Sequence, residues 1–448
     1  MPKPTVKPGA MNGRNPDREA AASLIRRLQA LKPAHIDLSL DRVLRLLDRL
    51  GNPQAALPPI VHIAGTNGKG STLAVVRALL EADGNTVHAY TSPHLCRFNE
   101  RIVVAGTMIA DGVLADTLDT VLAADTRGDI TFFEATTAAA LLAFSRTPAD
   151  VTLLETGLGG RLDATNVIEQ PAVTAITPIG FDHMAFLGNT LAAIAGEKAG
   201  ILKRDRPVII GPQPAEALRV LEEKAASLQA PAIIHGIDWS LTPATSPREP
   251  AILQATGVPD RQLASPAALP GAHQRLNAAM AVLIADHLQS APIQPSIIAA
   301  GVEAAVWPGR LQRLAPGPVT RSMPDVEIWI DAAHNSDGGR VLAEFLDTLP
   351  PAPATLALGM YQGKNAAAFL EHFHGRVTDV IAMAVDGEQP AQPAAAIAET
   401  ARAAGFETRI ADRPDALPAF VAPGTRRLVI AGSLALIGRV LAANEQCP

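Results

Sequence analysis

The sequence predicts an α/β protein: a P-loop ATPase-like domain with a mostly parallel sheet, followed by a smaller Rossmann-like C-terminal domain. Three observations carry this. Short β-branched runs alternate with longer helix-period segments from residue 60 to 237. The alternation restarts after Trp307-Pro308-Gly309-Arg310. A glycine-rich run, Gly65-Thr66-Asn67-Gly68-Lys69-Gly70-Ser71, lies where the first strand of the alternation gives way to a helix.

Taken in order, strands are expected at residues 59–64, 86–91, 151–155, 172–177 and 207–210. Residues 71–82 place Leu73, Val76 and Leu80 on one face at helical spacing, and 190–201 and 215–228 repeat that character. Residues 101–104 and 107–109 flank Ala105-Gly106 as a small hairpin. Residues 238–268 are rich in Pro, Thr and Ser without a clear period, so irregular strands or a surface excursion are expected. Helical signals resume at 274–288 and 296–305. Beyond the junction, strands are expected at 326–332, 355–359, 379–385, 407–411 and 427–431, with helices at 338–349, 366–373, 394–404 and 434–443. The expected organisation is a mobile leader at 1–17, a nucleotide-binding domain over 18–306 and the Rossmann-like domain over 307–448.

Composition supports two packed domains. The 448 residues are 48% hydrophobic and 18% charged, ample material for two cores. The net charge of −6 and an aromatic share of 4% give neither the basic surface nor the stacking platforms of a nucleic-acid binder. The first 17 residues lack the apolar core of a signal peptide, and the apolar stretch near 428–438 is too short to cross a bilayer. A cytoplasmic protein without a membrane partner is therefore expected. Cys96 and Cys447 have no metal-ligand spacing and read as free thiols of a reducing compartment.

The glycine-rich run has the context of a phosphate cradle. Its glycines let backbone N–H groups approach an anion, and the following helix N-terminus favours negative charge. Lys69 is placed to neutralise phosphate, and a following hydroxyl to address Mg²⁺. Gly70 interrupts the usual lysine–hydroxyl adjacency. By itself the run reads only as nucleotide phosphate binding.

Further segments accompany it. They include His35-Ile36-Asp37-Leu38, Thr91-Ser92-Pro93-His94, Phe132-Phe133-Glu134, and Glu155-Thr156-Gly157-Leu158-Gly159-Gly160-Arg161-Leu162-Asp163-Ala164. Asp182-His183, Glu197-Lys198-Ala199-Gly200-Ile201, Trp307-Pro308-Gly309-Arg310 and Asp331-Ala332-Ala333-His334-Asn335 follow. In this order the set resembles the folylpolyglutamate synthase/dihydrofolate synthase family of the Mur ligase superfamily. That resemblance implies an ATP-dependent ligase joining L-glutamate to dihydropteroate, to the γ-carboxylate of reduced folates, or to both, through an acyl phosphate. It also implies ATP and two Mg²⁺ ions as cofactors, and a monomer.

The resemblance further implies roles. Gly68, Lys69, Gly70, Ser71, Asn277, Arg310 and Asp331 would contact ATP, and Ser92, Glu155 and His183 would hold Mg²⁺. Lys198 would be carbamylated, turning a cation into an anion, and His334 would lie near the incoming glutamate. Ile36, Asp37 and Leu38, Thr131, Phe132, Phe133 and Glu134, and Leu162, Asp163 and Ala164 would receive the pterin. The residues themselves leave alternatives open. Ser92 suits a strand-ending turn before Pro93, Glu155 a structural Arg partner, Lys198 an ion pair with Glu197, and Arg310 an interdomain ion pair. Asp37 suits a helix cap, and two adjacent Phe residues suit a core. Asp182 is expected to orient the His183 ring.

Three positions depart from the family pattern, all in the second domain: Ser336 after Asn335, Asn365 after Lys364, and Ala435 after Leu434. A peptidoglycan-type Mur ligase would need a separate domain before the loop, where only 64 residues stand before Gly65. A non-catalytic nucleotide-binding regulator would not need Glu155, His183, Arg310 and Asp331 together.

Overall fold

The computed structural model describes residues 16–31, 39–242, 249–289, 291–387 and 390–448. Eight strands make the first sheet, in the order Thr107–Met108, Ile102–Val104, Val87–Tyr90, Val151–Glu155, Ile60–Ala64, Val173–Ile176, Val208–Ile210, Ala232–Ile234. From Val87–Tyr90 onward every pairing is parallel, and the first two strands are the antiparallel hairpin. The parallel strands inside the sheet are buried throughout, as helices on both faces require.

The two-residue period of each strand divides its side chains between those faces. Val61 and Ile63 join Val173, Ala175 and Ile209 beneath the helices Lys69–Ala82, Ala272–Asp286 and Pro295–Ala304. Ile60 and Leu154 face the opposite way, against Pro16–Gln29, Asp111–Ala124 and Phe132–Ser145. On that same face Ala64, Ile176, Val208 and Ile210 meet Leu191–Lys198 and Ala215–Ser227.

The second sheet runs Gln312–Arg313, Glu327–Asp331, Arg427–Ala431, Ala354–Leu358, Asp379–Met383, Glu407–Ala411, and only its first strand is antiparallel. Ser336–Asp347 and Ala394–Ala403 cover one face, and Leu434–Ala443 covers the other. Arg427–Ala431, last in sequence, inserts between Glu327–Asp331 and Ala354–Leu358. The carboxyl ends of these strands therefore open a crevice beside Asp331.

Several expectations change. Within the stretch expected as irregular strands or a surface excursion, Trp239–Thr242, Ala251–Ala255 and Val258–Leu263 form a three-stranded antiparallel sheet. Its Trp239, Leu253 and Leu263 complete the first core, and this one-sided burial was masked by a loop-like composition. The helix Phe132–Ser145 is buried along most of its length and so shows no amphipathic period. Of the expected leader, Pro16 and Asp17 already belong to the helix Pro16–Gln29, and residues 1–15 lie outside the described residues. The cysteines are not free: Cys96 and Cys447, 351 positions apart, are joined as a disulfide with Cα atoms 5.8 Å apart. Spacing in sequence could not show that the C-terminal segment returns to the loop after Val87–Tyr90.

Candidate active site

The carboxyl ends of the two sheets border one cleft of about 560 Å³. The loop 65–71, Ser92, Glu155, His183, Lys198, Asn277, Arg310, Asp331 and His334 all line it.

The loop opens the floor. Gly68 stands at φ 91° as the N-cap of Lys69–Ala82, so the helix begins beneath the loop with its N–H groups directed to the cleft. A Cβ on Gly70 would lie 2.8 Å from the Trp307 ring, which explains why glycine separates Lys69 from Ser71. Thr66 and Asn67 N–H groups donate to the Pro178 carbonyl (3.0 and 3.2 Å), tying the loop to the neighbouring strand end. Lys69 Nζ donates to the carbonyls of Gly65 (3.2 Å) and Thr66 (3.3 Å), folded over the concavity it is expected to serve.

Glu155 ends the central strand Val151–Glu155 and is 5% exposed. Its Oε2 accepts from the Ser92 N–H at 3.3 Å. Burial pushes its carboxyl above the usual range, while Lys69, the Ser92 N–H and Arg310 pull it back. A buried carboxylate so placed fits a cation. Among the described residues no cluster of three or more His, Cys, Asp and Glu is placed to hold a metal alone. Ser92, Glu155 and His183, which all line the cleft, are the side chains that would hold Mg²⁺ there, and the cation would supply positive charge to phosphate oxygens.

His183 adopts φ 50°, and burial lowers its ring to about 4, with Lys364, His334 and Lys69 adding to the fall and Asp182 opposing it. A neutral imidazole is the form that ligates metals. Asp182 plays a different part from the one expected. Its Oδ1 accepts from the His183 backbone N–H (2.8 Å), while its Oδ2 stands 3.9 Å from the His183 Nε2. The carboxylate instead binds two residues of the second domain: His334 Nε2 at 3.1 Å and the Lys364 ammonium. Burial opposes its charge, but the hydrogen bond and charge of His334, with His183 and Lys364, hold it well below the carboxylate range. Asn67 and Asn335 add a direct side-chain bridge of 3.1 Å between the domains. Lys364 and this interdomain ion pair were not anticipated, because nothing in spacing relates residue 182 to 364.

Lys198 is 4% exposed and donates to the Gly65 carbonyl at 2.8 Å. Burial lowers its ammonium to about 7, with Lys69 adding to the fall and Asp182 and Asp163 opposing it. Glu197, considered above as its partner, pairs with Arg161 at 2.8 Å instead. Arg310 is half-buried, and desolvation lowers its guanidinium against the pull of Asp331 and Glu155. Asp331 is consumed locally: Oδ2 accepts from Leu311 N–H and Oδ1 from Ala333 N–H, each at 2.7 Å. It shapes the turn that presents Arg310. Asn277 donates to Gln274 at 2.9 Å, and its Oδ1 faces the Gly68 backbone.

The residues matched to the pterin site lie apart from the wall of this cleft. Ile36, Asp37 and Leu38 lie outside the described residues. Thr131 and Glu134 form a reciprocal cap on Phe132–Ser145, and Glu134 also pairs with Arg42 at 3.0 Å. Asp163 accepts from Leu158 and Thr165, so it holds the 157–165 turn, with Ala164 buried and Leu162 half-buried beside it. Phe132 stands edge-on to Phe98 with Arg101 5.3 Å from its ring centre. Phe133 packs on Tyr90 and against Gly157, which does line the cleft.

The chain's similarities agree with this geometry. Residues 63–285 match the Mur ligase middle domain. The dihydrofolate synthase/folylpolyglutamate synthase of Bacillus subtilis is 38% identical over 68% of this chain and 71% of its own length. That of Escherichia coli is 33% identical over 83% of each chain. The E. coli enzyme in complex with DHPP and ADP superposes with a TM-score of 0.83 at 28% identity, over 95% of this chain and 97% of that one. A bifunctional folylpolyglutamate synthase/dihydrofolate synthase with Mn, AMPPNP and L-glutamate bound gives 0.81 at 29% identity, over 94% and 97%. With the phosphate loop, the two facing sheets and these likenesses in agreement, the chain belongs to the folylpolyglutamate synthase/dihydrofolate synthase family of Mur-type ligases.

Proposed function

We propose that this protein is an ATP-dependent ligase that forms an amide between L-glutamate and dihydropteroate, the γ-carboxylate of reduced folates, or both. The observation that carries the reading is the shared cleft: phosphate-binding loop and metal-fitting carboxylate on one wall, Arg310, His334 and Lys364 on the other. The ATP-binding half is assigned to residues 18–306 and the glutamate half to 307–448.

The chemistry joins anions, so its main demand is positive charge and oriented donors. ATP phosphates would take the N–H groups of Gly68, Gly70 and Ser71, with Lys69 swinging from the Gly65 and Thr66 carbonyls onto the β- and γ-phosphates. Asn277 and Arg310 would hold the nucleotide, and Asp331 would fix the turn that aims Arg310. Ser92, Glu155 and His183 would hold two Mg²⁺ ions, which supply charge neutralisation to the phosphates when bound. The acceptor carboxylate then takes the γ-phosphoryl group, releasing ADP. The glutamate amine attacks the acyl phosphate carbon, phosphate departs, and the amine sheds a proton. His334, on the cleft wall, would lie near the incoming glutamate.

Lys198, lowered to about 7, keeps an appreciable neutral amine fraction near neutral pH. That amine can add CO₂ to give a carbamate with loss of a proton. A carbamate retains one N–H for the Gly65 carbonyl and places negative charge beside the metal residues. Mass analysis of protein kept in bicarbonate, read against an amine-only spectrum, decides this point. The pterin is assigned to the surface by Phe132 and Phe133, with Leu162, Asp163 and Ala164 across from it.

Incubating the protein with ATP, Mg²⁺, labelled L-glutamate and each acceptor tests the function. Product from both acceptors is expected. Product from reduced folate alone restricts the enzyme to chain extension, and no product from either overturns the proposal.

A further inference from the structure

We propose that Cys96 and Cys447 are a redox latch: as a disulfide they hold the two domains in the arrangement seen here, and as thiols they free the domains to open. The inference rests on the ligase reading only for its effect on turnover.

The bond joins the two domains. Cys96 belongs to the loop that leaves the strand Val87–Tyr90 and carries Ser92. Glu100 fixes that loop by accepting the N–H groups of Leu95 (2.7 Å), Cys96 (2.9 Å) and Arg97 (2.6 Å). Cys447 follows the helix Leu434–Ala443 of the second domain. There Asn444 donates to Ala315 (2.9 Å) and accepts from Val319 N–H (3.0 Å), and Gln446 N–H returns to Leu441 (2.8 Å). The chain is thus anchored to within one residue of Cys447.

The bond also spans the interface that must separate. Leu95 and Cys96 pack among Ile437, Val440 and Leu441, and Gly438 presses on the Leu95 carbonyl so closely that a Cβ there would collide with it. Ser433, the cap of the same helix, lines the cleft, as does Ser92 on the loop. Oxidation therefore ties one wall of the cleft to the other. Ligases with reactants enclosed between domains must open to exchange them, and a covalent tie restrains that step. Cys447 is exposed, so solvent thiols reach it, and the chain has no other cysteine to compete.

The step balances with the disulfide of a small thiol as oxidant. One protein thiolate attacks R–S–S–R and expels one R–S⁻. The second attacks the mixed disulfide and expels the other. Two protein S–H bonds are lost, one S–S bond forms, and R–S–S–R is reduced to two R–SH.

Full-length protein oxidised with glutathione disulfide, its Cys96–Cys447 peptide confirmed by mass, is compared with protein reduced by dithiothreitol. Expected are a kcat about tenfold lower in the oxidised form, restored by reductant, and a smaller radius of gyration than the reduced, nucleotide-free protein by X-ray scattering. Cys447→Ser and Cys96→Ser should match the reduced wild type and ignore the oxidant. Failure of the peptide to form, or equal kcat and equal radius in both states, overturns the latch. Absence of glutamate-dependent ADP formation in the reduced protein would instead defeat the ligase reading, and scattering would still judge the latch.

Discussion

Glu155 and Lys69 show how burial creates the site's demand for counter-charge. Glu155 sits at the end of a fully buried strand with a raised carboxyl, and Lys69 folds onto the Gly65 and Thr66 carbonyls. A metal-bound phosphate between them would stabilise each. Lys69→Ala should lower kcat by roughly 10²–10³ by removing charge stabilisation of the transferring phosphoryl group; steady-state ADP release measures it, and near-normal turnover would refute the role. Glu155→Gln should shift the Mg²⁺ titration of activity to higher concentration. It also has a sign that can be worked out without metal. A carboxyl raised above its ordinary 4.5 in the fold costs stability once ionised. That cost is absent below the unfolded value and complete above the folded one. Metal-free Glu155→Gln should therefore melt higher than wild type at neutral pH, with the gap closing as pH falls toward 4.5. A lower melting temperature at neutral pH would show that the carboxylate is already satisfied.

Among the elements, the helix Phe132–Ser145 and the turn at 157–165 illustrate how polar motif residues are spent on architecture. Thr131 accepts from Glu134 N–H at 3.2 Å, and Glu134 returns the bond to Thr131 N–H at 2.7 Å. Thr131→Ala should cost about 1 kcal/mol of stability, read as a lower urea midpoint with unchanged slope; an unchanged midpoint would leave the cap without energetic weight. The resemblance assigns these residues to the pterin as a group. It could not distinguish a side chain that meets substrate from one that sets the backbone, because both leave the same letters in the sequence. The parallel strands were legible for a simpler reason: buried on both faces, they read as short β-branched runs. The strands Trp239–Thr242, Ala251–Ala255 and Val258–Leu263 were legible only as irregular strands or a surface excursion, since a turn-rich composition imitates a loop.

Beside the Cys96–Cys447 bond, reversible polar contacts join the domains: Asp182 accepts from His334 and Lys364 of the far domain, and Asn67 and Asn335 bridge them. Asp182 and Lys364 are each only 8% exposed, so removing one partner leaves a buried charge short of its counter-ion. Lys364→Met should lower kcat/KM for glutamate by about tenfold or more while leaving ATP binding to the isolated loop side nearly intact. Isothermal titration with a non-hydrolysable ATP analogue separates the two effects. Equal losses in both would place Lys364 in general stability.

By itself the sequence determined the α/β class, the two-domain restart and the glycine-rich loop, while the candidates Ser92, Glu155, His183, Lys198, Arg310 and His334 came from the family resemblance of its motifs. Strand burial, helical period and glycine placement are local, so they leave a local record. Only the tertiary structure decided that these residues meet in one cleft, that Asp182 serves His334 and Lys364 more than the His183 ring, and that Cys96 reaches Cys447. The Asp182 contacts join segments 152 and 182 positions apart, and the disulfide joins segments 351 apart. Packing of one domain on the other creates such contacts, and no spacing along the chain encodes them.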